Sequence, residues 1–207
     1  MRRELPMGKR WIKDRKGEYY YRRAKAEKYR SRAAYKLIQL NKKFGIIRRG
    51  DRVLDLGAAP GGWMQVARKA VGEGGSVLGV DLERIEPLEY ENVASITADL
   101  SSEDTIGEIK AVIPTADVVL SDASPDISGV WSIDHLKSVD LCERALYIAV
   151  EVLKPGGNML LKIFQGEDAK GFYEKIKARF GYAKMTKPKA SRGKSAEMYI
   201  VAKDYKP

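Results

Sequence analysis

The run Asp55-Leu56-Gly57-Ala58-Ala59-Pro60-Gly61-Gly62-Trp63 joins an apolar stretch, RVLDL, to a helical one, GWMQVARKAV. Open α/β sheets bind ligands at such junctions, beyond the carboxyl ends of their strands. Gly57 and Gly62 fit the outer positions of the dinucleotide fingerprint G-x-G-x-x-G, but Ala59 holds the middle one. Its methyl group obstructs close approach of a pyrophosphate, and Pro60 offers no N–H. No Gly-Lys-Ser/Thr follows to make a P-loop. A cofactor without phosphates fits better, and S-adenosylmethionine (SAM) is one, with an adenosine to hold, an amino acid end to clamp and a sulfonium that needs no phosphate cradle. Asp81, 24 residues after Gly57 at the end of SVLGVDL, is placed to accept hydrogen bonds from ribose hydroxyls, and Asp99, at the end of VASITADL, from an adenine amino group. One aspartate in such a place reads equally as a helix cap. Three acidic strand ends, Asp55 included, behind one glycine loop point to a pocket.

Other chemistries are excluded early. Cys142 is the only cysteine and His135 the only histidine. They permit neither an internal disulfide nor a cysteine zinc site, a histidine metal cluster or a Ser-His-Asp triad. Both read as packing or capping residues, and no metal is expected. Trp131, after SDASPDISG, either walls a target pocket or packs as core or lid.

The elements that must hold these residues alternate. Strand-like RVLDL, SVLGVDL, VASITADL, ADVVLSDAS and GNMLLKIF are separated by helical GWMQVARKAV, a short helix and LKSVDLCERALYIAVEVL. That pattern predicts an α/β fold with a mostly parallel sheet covered on both faces. Helix DAKGFYEKIKARF follows, then YAKMTKP and AEMYIVAK around the basic turn KASRGKS, which predicts a terminal antiparallel strand. Residues 31 to 44 read as a helix docked on the core, and residues 1 to 16 as loose. With 207 residues, 44 % of them hydrophobic, the chain buries roughly 70 % of its unfolded surface. The expected organisation is a basic, partly flexible extension over 1–25 and one catalytic domain over 26–207. No apolar run approaches the ~20 residues of a membrane span, and no secretory h-region follows the first charges, so a soluble, cytoplasmic protein is expected.

Charge is segregated. The net charge of +10 divides into +14 over residues 1 to 50, −12 over 51 to 153 and +8 over 154 to 207. The first block interleaves cations with Trp11, Tyr19, Tyr20, Tyr21, Tyr29 and Tyr35, a mixture of phosphate partners and flat rings that suits RNA. A solvated basic tail on an ordinary enzyme is the plainer reading of the same charges. Arg30, Arg32, Lys187, Lys189, Arg192 and Lys194 are the candidate phosphate contacts, flanking the site from both ends of the chain and giving a binding that weakens steeply with salt.

DLGAAPGGW at 55–63, GVDL at 79–82, ADL at 98–100, SDASPDISG at 121–129, LKPGGNMLLKIFQG at 153–166 and SRGKSAEMYIVA at 191–202 resemble the FtsJ/RrmJ family of RNA ribose 2′-O-methyltransferases. The likeness covers residues from about 26 to 203. It implies a Rossmann-like, seven-stranded SAM-dependent methyltransferase fold, and a catalytic Lys-Asp-Lys-Glu tetrad at Lys36, Asp122, Lys162 and Glu197. It implies SAM contacts at Gly61, Trp63, Asp81, Asp99 and Asp122, to which the loop itself adds Asp55 and Gly57. The bacterial and archaeal members that methylate a uridine ribose in 23S-type ribosomal RNA are the most similar, which implies RNA or the large ribosomal subunit as partner and a monomeric enzyme. Members acting on transfer RNA share these motifs. The acidic stretch ERIEPLEYEN at 83–92 departs from the pattern, on the ribose side of the pocket.

Moving a methyl group from a sulfonium to a hydroxyl requires the oxygen to shed a proton, so a positioned base is useful. By hypothesis from this chemistry, Lys162 is the base or hydroxyl-orienting group, Asp122 orients Lys162 near the transferring methyl, and Lys36 with Glu197 positions the ribose and steadies the charge balance. Alignment of the reacting atoms supplies much of the remaining acceleration. Competing readings are a non-catalytic RNA-binding ribosome-assembly factor, against which the complete tetrad argues, and a small-molecule or protein methyltransferase, which needs no basic ends. An NAD-dependent dehydrogenase is disfavoured by Ala59 and Pro60.

Overall fold

The computed structural model describes residues 18–192 and 195–207. Its strands are β1 (Arg52–Leu56), β2 (Ser76–Asp81), β3 (Val93–Thr97), β4 (Ala116–Ser121), β5 (Leu153–Phe164), β6 (Phe180–Thr186) and β7 (Glu197–Tyr205). Its helices are α1 (18–26), α2 (Ala34–Phe44), α3 (Gly62–Val71), α4 (Asp104–Val112), α5 (Trp131–Val152) and α6 (Glu167–Arg179). The strands make one sheet in the order β3-β2-β1-β4-β5-β7-β6, in which β7 alone runs antiparallel to its neighbours. The mostly parallel seven-stranded α/β sheet and its reversed strand near the end are therefore present as expected.

Alternation along the strands sorts the core into two layers. Leu54, Leu56, Met159, Leu161 and Ile163 pack with residues of α4, α5 and α6, while Val53, Val118, Leu120, Leu160 and Val201 pack with α2 and α3. The even-numbered positions of β5 thus face α2, and Lys162 and Phe164 are two of them. β7 pairs Tyr199 with Lys162 and Glu197 with Phe164, so these side chains share that face.

Topology explains why distant residues meet. The carboxyl ends of β1, β2, β4 and β5 lie on one edge of the sheet. Because β7 is antiparallel, its first residue, Glu197, joins that edge instead of the opposite one. The order turns outward on either side of β1 and β4, the switch point at which such sheets open a crevice.

Several boundaries differ from the sequence reading, among them α2, which begins at Ala34, and β3, which ends at Thr97. α1 has no apolar period to announce it; it is held through buried Ala24, which clusters with Tyr35 and Ala190, and through Tyr20, whose hydroxyl accepts a hydrogen bond from Gln39 at 2.9 Å. α5 begins at Trp131, five residues before the apolar run, because the buried Asp134 carboxylate reaches back to Ser128 and Gly129. β5 starts at Leu153, ahead of the stretch read as a strand, with a register shift opposite Ala116 and Val118. The looseness expected for residues 1 to 16 lies outside the described residues.

Candidate active site

The glycine loop is shaped by backbone contact. Gly57 has φ +71°, and a Cβ there would come within 2.6 Å of the Ala123 Cα, so the β1 and β4 loops touch only because position 57 carries no side chain. Gly61, at φ +100°, lies against Arg30 and Ile85. The Ala59 N–H donates to Asp81 Oδ2 at 2.8 Å, and the Glu83 N–H donates to Oδ1 at 2.9 Å. Each Asp81 oxygen keeps an acceptor site for a ligand.

Asp99, exposed, accepts from the Ser101 N–H at 2.8 Å, a bond that holds its carboxyl below the usual range. Asp55 lies one layer down. It has no exposed surface, neither oxygen has a hydrogen-bond partner, and burial, with the nearby charges of Asp122 and Asp81, pushes its pKa well above the ordinary value. It is a buried acid beneath the loop. Trp63 is likewise buried, donating its indole N–H to Ala33 O at 2.8 Å and packing 6.1 Å from the Tyr199 ring. It braces α2 and α3 from beneath.

Four charged side chains converge at the edge described above. Lys36 Nζ is 3.2 Å from Glu197 Oε2 and 3.6 Å from Asp122 Oδ2, and Lys162 Nζ is 3.6 Å from Asp122 Oδ1. Lys162 also donates to the Asp122 backbone carbonyl at 2.7 Å. Side-chain exposure is 8 % for Lys36 and 4 % for Lys162 against 16 % for Asp122 and 23 % for Glu197, so the acids form the outer rim and the amines the floor. Two amines against two carboxylates give a balanced set, which a buried cluster requires.

Sequence reading missed Tyr199. Its hydroxyl donates to Asp122 Oδ1 at 2.7 Å and its ring lies 5.5 Å from Lys36 Nζ. Burial, then the Asp122 charge, raises its pKa well above the ordinary value and keeps it a donor. The signal was available: Tyr199 is two positions beyond Glu197 on a strand, hence on the same face. Below the site, the Cys142 thiol donates to Lys162 O at 3.1 Å, and burial raises its pKa far out of reach. His135 Nε2 accepts the Asp168 N–H at 3.2 Å at the start of α6, the capping role expected of it.

The basic candidates divide. Arg30 donates to the carbonyls of Pro60 at 3.2 Å, Pro87 at 2.8 Å and Glu86, which ties the glycine loop to the ERIEPLEYEN stretch. Ile85 of that stretch is buried and lies against Gly61, so the segment that matched no pattern packs on the glycine loop. Arg32 is half-buried, near both Glu197 and Arg192, and burial with the Arg192 charge lowers its pKa. Lys187, Lys189 and Arg192 are exposed, Lys187 bonding Ser195 O, and Lys194 lies outside the described residues. Among the described residues no group of His, Cys, Asp and Glu could hold a metal ion, and no helix is long and apolar enough to cross a membrane.

The residues present fit SAM. The cradle closes if Gly57 gains a Cβ, acidic acceptors stand at the ends of β2 and β3, and the four-residue cluster adjoins them at β4. Comparison with known proteins agrees in kind. The family model described as FtsJ-like methyltransferase matches residues 29–205. The ribosomal RNA large subunit methyltransferase E of Methanocaldococcus jannaschii is 51 % identical over 201 residues, covering 95 % of this chain and 82 % of that one. The protein of the same name from Methanothermobacter thermautotrophicus is 52 % identical, covering 97 % and 95 %. A crystal structure from Plasmodium falciparum, provisionally described as a ribosomal RNA methyltransferase, superposes with a TM-score of 0.76 at 28 % identity, covering 86 % of this chain and 98 % of that one.

Proposed function

This chain belongs to the FtsJ-like methyltransferase family, and on that premise we propose that it methylates a ribose 2′-hydroxyl, of a uridine, in large-subunit ribosomal RNA with SAM as donor. The observation that carries the reading is the convergence of Lys36, Asp122, Lys162 and Glu197 beside the glycine loop. When bound, SAM supplies an electrophilic methyl group on a sulfonium centre. Asp81 would accept from its ribose and Asp99 from its adenine, and Gly57 and Gly61 would leave room for its amino acid end; Asp55 and Trp63 support that loop from below.

Lys162 is the group that takes or orients the proton of the RNA hydroxyl, and its bond to the Asp122 main-chain carbonyl fixes where its amine stands. Asp122 fixes Lys162 and is itself fixed by Tyr199. Lys36 and Glu197, paired at 3.2 Å, orient the ribose. Holding the hydroxyl oxygen in line with the methyl group and the sulfur it leaves would supply much of the catalysis. Arg32, Lys187, Lys189, Arg192 and Lys194, with the basic extension over 1–25, take the RNA phosphates. The enzyme works as a monomer in the cytoplasm on free RNA or a ribosomal particle. Transfer RNA is the alternative target; a non-catalytic assembly factor would have no use for the buried amines.

The test is transfer of a labelled methyl group from SAM to a large-subunit ribosomal RNA transcript or subunit. Lys162→Ala is expected to lose at least about 100-fold in rate, the scale of general-base assistance, with SAM affinity nearly intact. Full activity in the variant would remove Lys162 from the reaction.

A further inference from the structure

Trp131 opens α5, on the loop that follows Asp122. It is 52 % exposed, an unusual state for the largest side chain in a protein with a well-filled core. Two rings lie nearly parallel to it, Phe164 at 6.3 Å with planes 14° apart and His135 at 6.2 Å with planes 20° apart, and half of its surface stays open. Phe164 is two positions beyond Lys162 and pairs with Glu197, so the stack stands on the same face of the sheet as the charged cluster and next to it.

The ring is held in place before any ligand arrives. The buried Asp134 carboxylate accepts from Ser128 N and Ser128 Oγ, both at 2.7 Å, and from Gly129 N at 3.2 Å, fixing the turn that delivers Trp131. Ile127, Val130, Ile133 and Leu136, close to it in the chain, are exposed as well. A flat ring fixed beside a charged reaction centre suits a ligand that is charged along one edge and flat along the other.

We propose that Trp131 is the platform on which a nucleobase of the substrate RNA, at or next to the acceptor ribose, stacks while its sugar sits in the Lys36–Glu197 cluster. The platform rests on the RNA reading above and adds to it the group that holds the base. Stacking on an aromatic ring is tolerant of base identity, so Trp131 selects an unpaired, splayed-out nucleotide, and discrimination among bases comes from elsewhere.

The experiment has two arms. Steady-state methylation of a large-subunit ribosomal RNA transcript is compared for wild type, Trp131→Phe and Trp131→Ala. The alanine variant is expected to raise KM for RNA about 10-fold or more, with SAM affinity unchanged, and the phenylalanine variant to keep most of the affinity. Separately, a short oligouridylate is titrated at low salt against tryptophan fluorescence, where wild type is expected to quench and Trp131→Phe to lose that quenching. Equal quenching in both proteins, or a KM for Trp131→Ala within about twofold of wild type, overturns the platform; the latter would leave the apolar patch to a protein partner. If wild type transfers no methyl group at all, the function reading fails, and the fluorescence arm still decides for Trp131.

Discussion

Asp122 accepts from the Tyr199 hydroxyl with one oxygen and faces Lys36 with the other, while its main-chain carbonyl holds Lys162. Its companion Asp55 carries no such partners, and that difference is measurable. Burial first, then the charges of Asp122 and Asp81, raises the folded pKa of Asp55 above its usual value of 3.8. The proton is therefore bound more tightly in the folded chain than in the unfolded one. The stability Asp55 contributes is complete below the unfolded pKa and is lost as pH rises through the folded one. Replacing it by asparagine removes the titration. Melting curves of Asp55→Asn and wild type should diverge as pH rises from about 4, the variant gaining about 1.4 kcal/mol per pH unit until the folded pKa is passed. A difference independent of pH would mean that Asp55 is ionised in the fold. Legibility at this scale was uneven. Asp81 and Asp99 stood out by their positions at strand ends, whereas Lys36, Lys162 and Glu197 were found by likeness to known motifs, since a lone lysine in a strand reads as snorkelling. That Arg30 is tied to three carbonyls was not legible, because a sequence does not show main-chain contacts.

The strands were the most legible elements, being short apolar runs bounded by glycine or acid, and the antiparallel β7 followed from the basic turn before it. Helices whose stability comes from tertiary contact were not legible: α1 owes its place to Tyr20, Ala24 and Tyr35, and the first turn of α5 to Asp134. The same distinction separates two glycines. Gly57, at the end of β1, has a positive φ and a neighbour at 2.6 Å, whereas Gly107, exposed within α4, has nothing within 4 Å of a built Cβ. Gly57→Ala is expected to cost at least about 2 kcal/mol and to weaken SAM binding, while Gly107→Ala should stabilise by about 0.5–1 kcal/mol with activity unchanged. Thermal melts with SAM titrations check both; a neutral Gly57→Ala would show that the β1 and β4 loops do not need their close approach.

At the scale of the molecule, α2 and the strand-ending segments around β6 and β7 are brought together. Gln39 accepts the Ala190 N–H at 3.1 Å, Lys203 donates to Phe44 O at 3.0 Å, and Arg32 lies near Arg192. Charge segregation along the sequence led us to expect an RNA surface, and among the described residues the fold brings parts of the two basic segments together. Arg192→Ala should weaken RNA binding and reduce the slope of log affinity against log salt by about 1. Arg30→Ala should lower the melting temperature and SAM affinity and leave that slope unchanged. Equal slopes for all three proteins would mean that Arg192 is not a phosphate contact. The most direct measurement of the central claim is mass spectrometry of nucleosides digested from a large-subunit ribosomal RNA transcript or subunit after incubation with the protein and SAM. The cluster of two amines and two acids predicts a nucleoside carrying its new methyl group on the ribose, absent when Lys162→Ala replaces wild type. A methyl group on a base, or ribose methylation undiminished in the variant, would contradict it.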